Sequence, residues 1–557
     1  MLALVALLAW PLYAALGLPW LLGLRPGWWR LAPLVGAGLA GLGATWAWML
    51  GLPAAGGLAG AVLAAAVPAA IYLRRPSVRR ELATALPAVV REGLAWYLLS
   101  LFVMSLSPFP ILGPWGIDWH MMLRTGECVL LGLPLERYML PRPAMAGAGA
   151  VPLWLLEPGL PTFQVFGAVL AAGGLAAGVA LARETFRRDD HSSSLASWRL
   201  AYPLALSPFF LLHATACWGK LLSGGLAAAA IGLMITLNRQ SDRTVLATWW
   251  PPALLFGLAV ATHPGALVML PLVLLAARPA LAERLDIGWW CRWGGRLLLV
   301  GLALILFYGV YDLWTSQQYG AEAKRASNPA FDPVQRAKFG GSVLLNTLAT
   351  LVTNFISLWP FDPVTFDLLR AAGPDSTVFL VGWNLVIFAT VLASTFVGQF
   401  WPFLALRVEG RGLWVFLREQ TSIRWGVGLA GVLVAHAIIL ANVSPHGTAQ
   451  NALLGISLLG FGWVLAFWEQ AVPATRARVL RLTFYVGTLA WLLPNAISLV
   501  AIRYGFLGVG HQMDDDYGFY HAPLELPLVP VTAFPWLQLV LLGLTVLAWR
   551  AKGDPAR

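Results

Sequence analysis

The chain has 557 residues, of which 59% are hydrophobic and 11% charged, and its mean hydropathy is +0.72. A soluble globular protein carries about 25% charged residues, so this chain has to be solvated by lipid, which excludes a soluble enzyme, a disordered chain and a coiled coil. The net charge of +11 reads as arginine that holds cytoplasmic loops inside rather than as a surface for nucleic acid.

The apolar runs are continuous rather than alternating, which argues against an outer-membrane barrel. They predict an all-α polytopic transmembrane helix bundle. Cys128, Cys217 and Cys291 are too few and too scattered for a disulfide framework or a zinc site. The first apolar stretch lacks a basic leader region and reads as a retained span rather than a signal peptide.

In chain order the apolar runs fall at 1–24, 31–51, 54–73, 94–111, 162–182, 200–215, 221–237, 244–262, 264–277 and 297–314. A second set follows at 343–360, 377–406, 425–443, 450–468, 482–502 and 534–549. Arg74, Arg75, Arg79, Arg80 and Arg91 mark 74–93 as the strongest cytoplasmic loop. Alternation from it puts 25–30, 183–199, 238–243, 278–296, 407–424, 469–481 and the C-terminal tail on the same side.

Together these segments hold 27 of the 37 Lys and Arg residues and 12 of the 26 acidic ones. The opposite side keeps ten basic and 14 acidic residues, so the two sides carry +15 and −4. That asymmetry is the positive-inside pattern. It is kept only if 343–360 dips in or lies at the interface without crossing, which gives about 15 crossings with the N-terminus outside and the C-terminus inside. The expected organisation is 1–93 as N-terminal helices and an Arg-rich loop, 94–314 as a transmembrane core, 315–376 as an external segment, and 377–557 as C-terminal helices.

Three external segments, 112–161, 315–376 and 503–533, are long enough to build a site. The first begins GPWGIDWHMMLRTGECVLLGLPLERYMLPRP. Asp118 follows a span closely, and His120, Arg124 and Glu127 come after it at near-helical spacing, so 117–133 reads as a short interfacial helix. A carboxylate held at the membrane surface suits a base for a sugar or lipid hydroxyl. Arg124, Arg137 and Arg142 could hold a phosphate leaving group. The structural alternative is that Asp118 caps the helix and the arginines meet lipid headgroups.

His213 and His263 lie near external span ends and read either as turn residues or as ligands. Asp514, Asp515 and Asp516, between His511 and His521, read as a solvated acidic loop more readily than as a cation site. No resident cofactor is expected, with a divalent cation left open.

An external Asp just after a span, then an interfacial helix and a Pro-flanked Arg-Tyr region, resembles the first loop of the GT-C glycosyltransferases. These are polyprenyl-phosphate-sugar-dependent enzymes related to protein mannosyltransferases and aminoarabinose transferases. SPFFLLHATACWGKLLSGGLAAAAIGLMI and GLAVATHPGALVMLPLVLLA are similar to later parts of that family in order, over about 94–314.

The resemblance implies an inverting glycosyltransferase acting on the extracytoplasmic face, with Asp118 as the base and Lys220 at the donor phosphate. His120, Arg124, Arg142, His213 and His263 are the further candidates for substrate contact. Asp118-Trp119-His120 stands where the family often has Asp-Glu. The implied partners are a lipid-linked sugar donor and membrane lipids. Two other classes fit parts of the pattern, a transporter or flippase of an amphipathic substrate and an O-antigen ligase or polymerase.

Overall fold

The computed structural model describes residues 1–106, 116–136, 139–140, 143–185, 219–240, 246–279, 287–326, 342 and 344–345. The expected runs at 200–215 and from 343–360 onward, the external segment 503–533 and the Asp514–Asp516 run lie outside the described residues. Among those described the protein is helical and contains no strand.

The long helices are α1 (Leu2–Leu21), α2 (Ala32–Met49), α3 (Ala54–Leu73), α4 (Pro76–Leu106) and α5 (Gly116–Leu131). The short helices α6 (Met145–Ala148) and α7 (Val151–Trp154) follow. Then come α8 (Leu160–Ala180), α9 (Gly219–Gln240), α10 (Trp250–Thr262), α11 (Leu270–Ala277), α12 (Ile287–Leu304), α13 (Val310–Tyr319) and α14 (Ala321–Ala326).

Seven of the described helices are long and apolar enough to cross a membrane: Leu2–Leu21, Pro26–Met49, Ala54–Leu73, Pro76–Leu101, Pro161–Thr185, Gly219–Asn238 and Ile287–Tyr319. Six of them match apolar runs read from the sequence, whereas Pro76–Leu101 overlaps the run at 94–111 only in its last eight residues. The runs at 244–262 and 264–277 form shorter apolar helices, Trp250–Thr262 and Pro264–Ala277. The protein is thus a polytopic helical membrane protein.

One expectation is corrected. Segment 74–93 is not a loop, because α4 begins at Pro76 and runs for 31 residues without interruption. Its arginines hide a helical stripe, in which Val78, Leu82, Ala85, Leu86 and Val89 turn toward the bundle while Arg79, Arg80 and Arg91 face outward. A stripe at three- and four-residue spacing is what an amphipathic helix requires.

Small residues let the central helices approach closely. Helices α2, α8 and α9 are almost wholly buried, whereas α3 and α12 show most of their surface. Leu34 of α2 wedges between Gly173 of α8 and Gly225 of α9, where a methyl group would lie 2.8 and 2.9 Å from its side chain. Helices α1 and α2 meet backbone to backbone, since a Cβ at Gly17 would fall 1.9 Å from the Ala32 carbonyl oxygen.

The segments grouped by charge also meet in space. At one end Arg30 of the 25–30 turn binds Glu92 of α4 through Nε at 3.1 Å and Nη2 at 2.9 Å, both on the same carboxylate oxygen. Glu184 accepts from Thr236 through its backbone carbonyl at 3.1 Å. The buried Arg296 donates to Asn238 at 2.7 Å and to the Ala277 carbonyl at 2.9 Å, and its guanidinium lies 3.9 Å from the Trp249 ring centroid. It thereby ties the ends of α9 and α11 to the middle of α12, using the donor fork and the flat cationic face of an arginine at once. Every described segment assigned to the arginine-rich side contributes to this end.

Candidate functional site

The opposite end is organised around α5. Its sequence ends the helix by a recognisable device. Gly132 adopts φ +69°, and the Leu133 N–H donates to the Cys128 carbonyl at 2.8 Å, the six-to-one bond of a glycine-terminated helix. The observed span Gly116–Leu131 lies within two residues of the predicted one. Asp118 is the third residue of the helix and His120 the fifth; their side chains lie outside the described set.

α5 is pressed onto α6 at a glycine crossing. A Cβ at Gly147 would fall 2.0 Å from the Met122 carbonyl oxygen, and one at Gly126 would fall 2.6 Å from Trp154 and 2.7 Å from the Gly147 carbonyl oxygen. α6 also packs against α2, α9 and α10, so it is a buried spacer that seats α5 on the bundle.

The start of α9 docks on the same helix. The Gly219 N–H donates to the Met122 sulfur at 3.0 Å, and Gly219 leaves no room for a methyl group beside Ala146. Helical side chains lean toward the N-terminus of their helix, so the contact covers the turn that runs from Asp118 to Met122. Asp118 is one turn before Met122, about 6 Å along the axis. Lys220 follows Gly219 directly and is only 1% exposed.

His263 reaches the same junction from α10. It ends that helix in an extended conformation, with φ −157° and ψ 118°, and its Nδ1 accepts from the Gly265 N–H at 3.0 Å. In the neutral ring the proton is therefore on Nε2. Ser223, three residues after Lys220 on the same face of α9, donates to the Ala259 carbonyl at 2.8 Å and stands 3.4 Å from the His263 carbonyl. The histidine is 4% exposed.

The loop that follows α5 is strapped to α13. Tyr319 accepts the Leu135 N–H at 2.8 Å, Tyr311 accepts the Ala144 N–H at 3.2 Å, and Trp48 donates to the Leu133 carbonyl at 2.9 Å. The described parts of 133–144 and the helix that leads into segment 315–376 are thus one assembly.

Three of the residues singled out in the sequence, Asp118 by its backbone, Lys220 and His263, belong to elements that converge here. Arg124 does not face the junction in the same way. It is about half exposed and pairs with Glu127 at 2.7 Å. Arg137, Arg142 and His213 lie outside the described residues. Sequence reasoning missed Met122, Ser223, Tyr311 and Tyr319. Only Ser223 had a usable signal, its three-residue spacing from Lys220.

No protein-family model matches the chain, and no curated protein matches it. Its structure is similar to the crystal structure of ArnT from Cupriavidus metallidurans bound to undecaprenyl phosphate, with a TM-score of 0.44 and 14% sequence identity, over 84% of this chain and 79% of that one. At that identity no residue-by-residue correspondence follows.

Proposed function

We propose that the protein is an integral membrane glycosyltransferase of GT-C type, moving a sugar from a polyprenyl-phosphate donor to a lipid, glycan or protein acceptor. The observation that carries this reading is the docking of α9, with the buried Lys220 at its start, on the turn of α5 that contains Asp118. An ammonium buried in a membrane bundle is costly to keep, which makes such residues functional by default.

The chemistry assigned to these groups is a single displacement. The Asp118 carboxylate accepts the proton of an acceptor hydroxyl, whose oxygen attacks the anomeric carbon from the face opposite the phosphate. The bond from that carbon to the phosphate oxygen breaks, the electron pair leaves with the polyprenyl phosphate, and the configuration inverts. Phosphate is a good leaving group and needs no acid. The Lys220 ammonium balances the charge gained by the leaving oxygen, and the Nε2–H of His263 is a further donor at the same end.

No resident cofactor is required, although a divalent cation carried by the donor would act in the same direction. In this reading the α5 end faces the extracytoplasmic side of a bacterial inner membrane, with the N-terminus outside and the C-terminus in the cytoplasm.

Retention of undecaprenyl phosphate, followed by mass spectrometry of the purified protein, tests the assignment of Lys220. Lys220→Gln is expected to weaken retention at least tenfold, with Lys220→Arg between it and the native protein. Equal retention by all three would remove Lys220 from the donor site.

A further inference from the structure

At the arginine-rich end, α3 and α4 form a surface that the transfer reaction does not use. Leu63, Val67 and Ile71 follow one another at four-residue spacing along α3, and they are 69%, 61% and 54% exposed. Residues at that spacing form one stripe along a helix. The next member of the series is Arg75. The helix ends before it: the Arg75 N–H closes a turn by donating to the Tyr72 carbonyl at 3.0 Å, and the Arg79 N–H donates to the Arg75 carbonyl at 3.3 Å as α4 begins. Arg74 and Arg75 thus form the turn at the end of the helix that carries the stripe, and Arg79 and Arg80 follow in the opening turns of α4.

Arg74, Arg75, Arg79 and Arg80 are all exposed, and among the described residues none of them forms an ion pair. The exposed acidic residue in this stretch is Glu81, while Glu92 is taken by Arg30. Arg75 is held over the Tyr72 ring, 5.2 Å from its centroid. Tyr72 in turn fills the space beside Gly23, which brings the exposed Arg25 to the same patch.

We infer that this surface is a binding site for an anionic glycerophospholipid of the leaflet at the arginine-rich end. One acyl chain lies along Leu63, Val67 and Ile71, and the headgroup phosphate is held by Arg75 and Arg79 with Arg74, Arg80 and Arg25 around it. Each half of the footprint demands the other. Exposed leucine, valine and isoleucine need hydrocarbon, and four exposed guanidinium groups that form no ion pair among the described residues, where that helix ends, attract a phosphate at headgroup depth. A free anion would satisfy only the second half.

The test compares dioleoylphosphatidylglycerol with dioleoylphosphatidylcholine on the full-length purified protein, by native mass spectrometry and by the shift of the unfolding temperature. The phosphatidylglycerol is expected to be retained at least tenfold better by the native protein, and that preference should disappear when Arg74, Arg75, Arg79 and Arg80 are all changed to Gln. A preference that survives in the quadruple variant overturns the site. Equal stabilisation by inorganic phosphate overturns the lipid as occupant.

Should the variant fail to fold, a photoreactive phosphatidylglycerol on the native protein decides the question. Cross-links concentrated in 63–80 support the site, and cross-links spread evenly over the exposed helices contradict it.

Discussion

The backbone N–H of Gly219 meets the sulfur of Met122 at 3.0 Å, across 97 residues of chain. Through this contact α9 is seated on α5 one turn from Asp118, and the buried Lys220 is the next residue of α9. The seat depends on glycines that let α5 and α6 touch backbone to backbone.

Gly147→Ala should therefore disturb the site more than its size suggests. The added methyl group would fall 2.0 Å from the Met122 carbonyl oxygen, which backbone has to move to relieve, and overpacking of this kind typically costs about 1–3 kcal/mol. A lower unfolding temperature and weaker undecaprenyl phosphate retention are expected together. Gly60→Ala is the control, because nothing lies within 4 Å of its added methyl group and alanine favours a helix by up to about 1 kcal/mol. An unchanged Gly147→Ala protein would show that the crossing is not tight.

The Arg30–Glu92 pair is expected to behave as a buried ion pair, with the side chains 13% and 5% exposed. Removing one partner strands the other charge and typically costs about 3–5 kcal/mol, while replacing both by apolar residues can be nearly neutral. Arg30→Met and Glu92→Leu should each lower stability strongly, and the double variant should be more stable than either. Additive losses in a denaturation series would contradict the pairing.

Thiol labelling should separate Cys128 from Cys291 in a Cys217→Ser background. Cys291 is exposed and Cys128 is buried. Burial first, and then the charge of Glu136, push the Cys128 thiol above its ordinary value, against a smaller opposing effect of Arg124. A raised thiol keeps less thiolate at pH 8 and gains it only as the pH climbs, and the thiolate is the reacting form. Maleimide should label Cys291 quickly at pH 8 and Cys128 slowly, with the rate at Cys128 still rising above pH 9. Equal rates would mean that α5 is not packed as described.

Much of this architecture was legible in the sequence because lipid imposes simple rules. Apolar length gave the spans, and the arginine count sorted the described loops into the two groups that meet at opposite ends. Local periodicity was enough for α5, whose end is fixed by Gly132. It was misleading at 74–93, where five arginines drew attention away from the apolar stripe of Val78, Leu82 and Val89.

The site was legible only in part. Lys220 and His263 could be named as ionisable residues near span ends, but their approach to α5 depends on contacts between residues far apart in the chain. Arg124 shows the opposite error. Its pairing with Glu127 follows from three-residue helical spacing, and that local pairing was available from the sequence alone.

The central claim is that Asp118 is the base in a transfer from a polyprenyl-phosphate sugar. The direct measurement is the release of undecaprenyl phosphate from lipid-linked sugars extracted from bacterial membranes, followed by mass spectrometry for the purified native protein and for Asp118→Asn, with Glu127→Gln as control. Loss of a general base typically costs about 10²–10⁴ in rate. The account predicts a loss in that range for Asp118→Asn, with donor retention nearly unchanged and Glu127→Gln close to native. Release by Asp118→Asn within threefold of the native protein, under conditions where the native protein turns over, would contradict it.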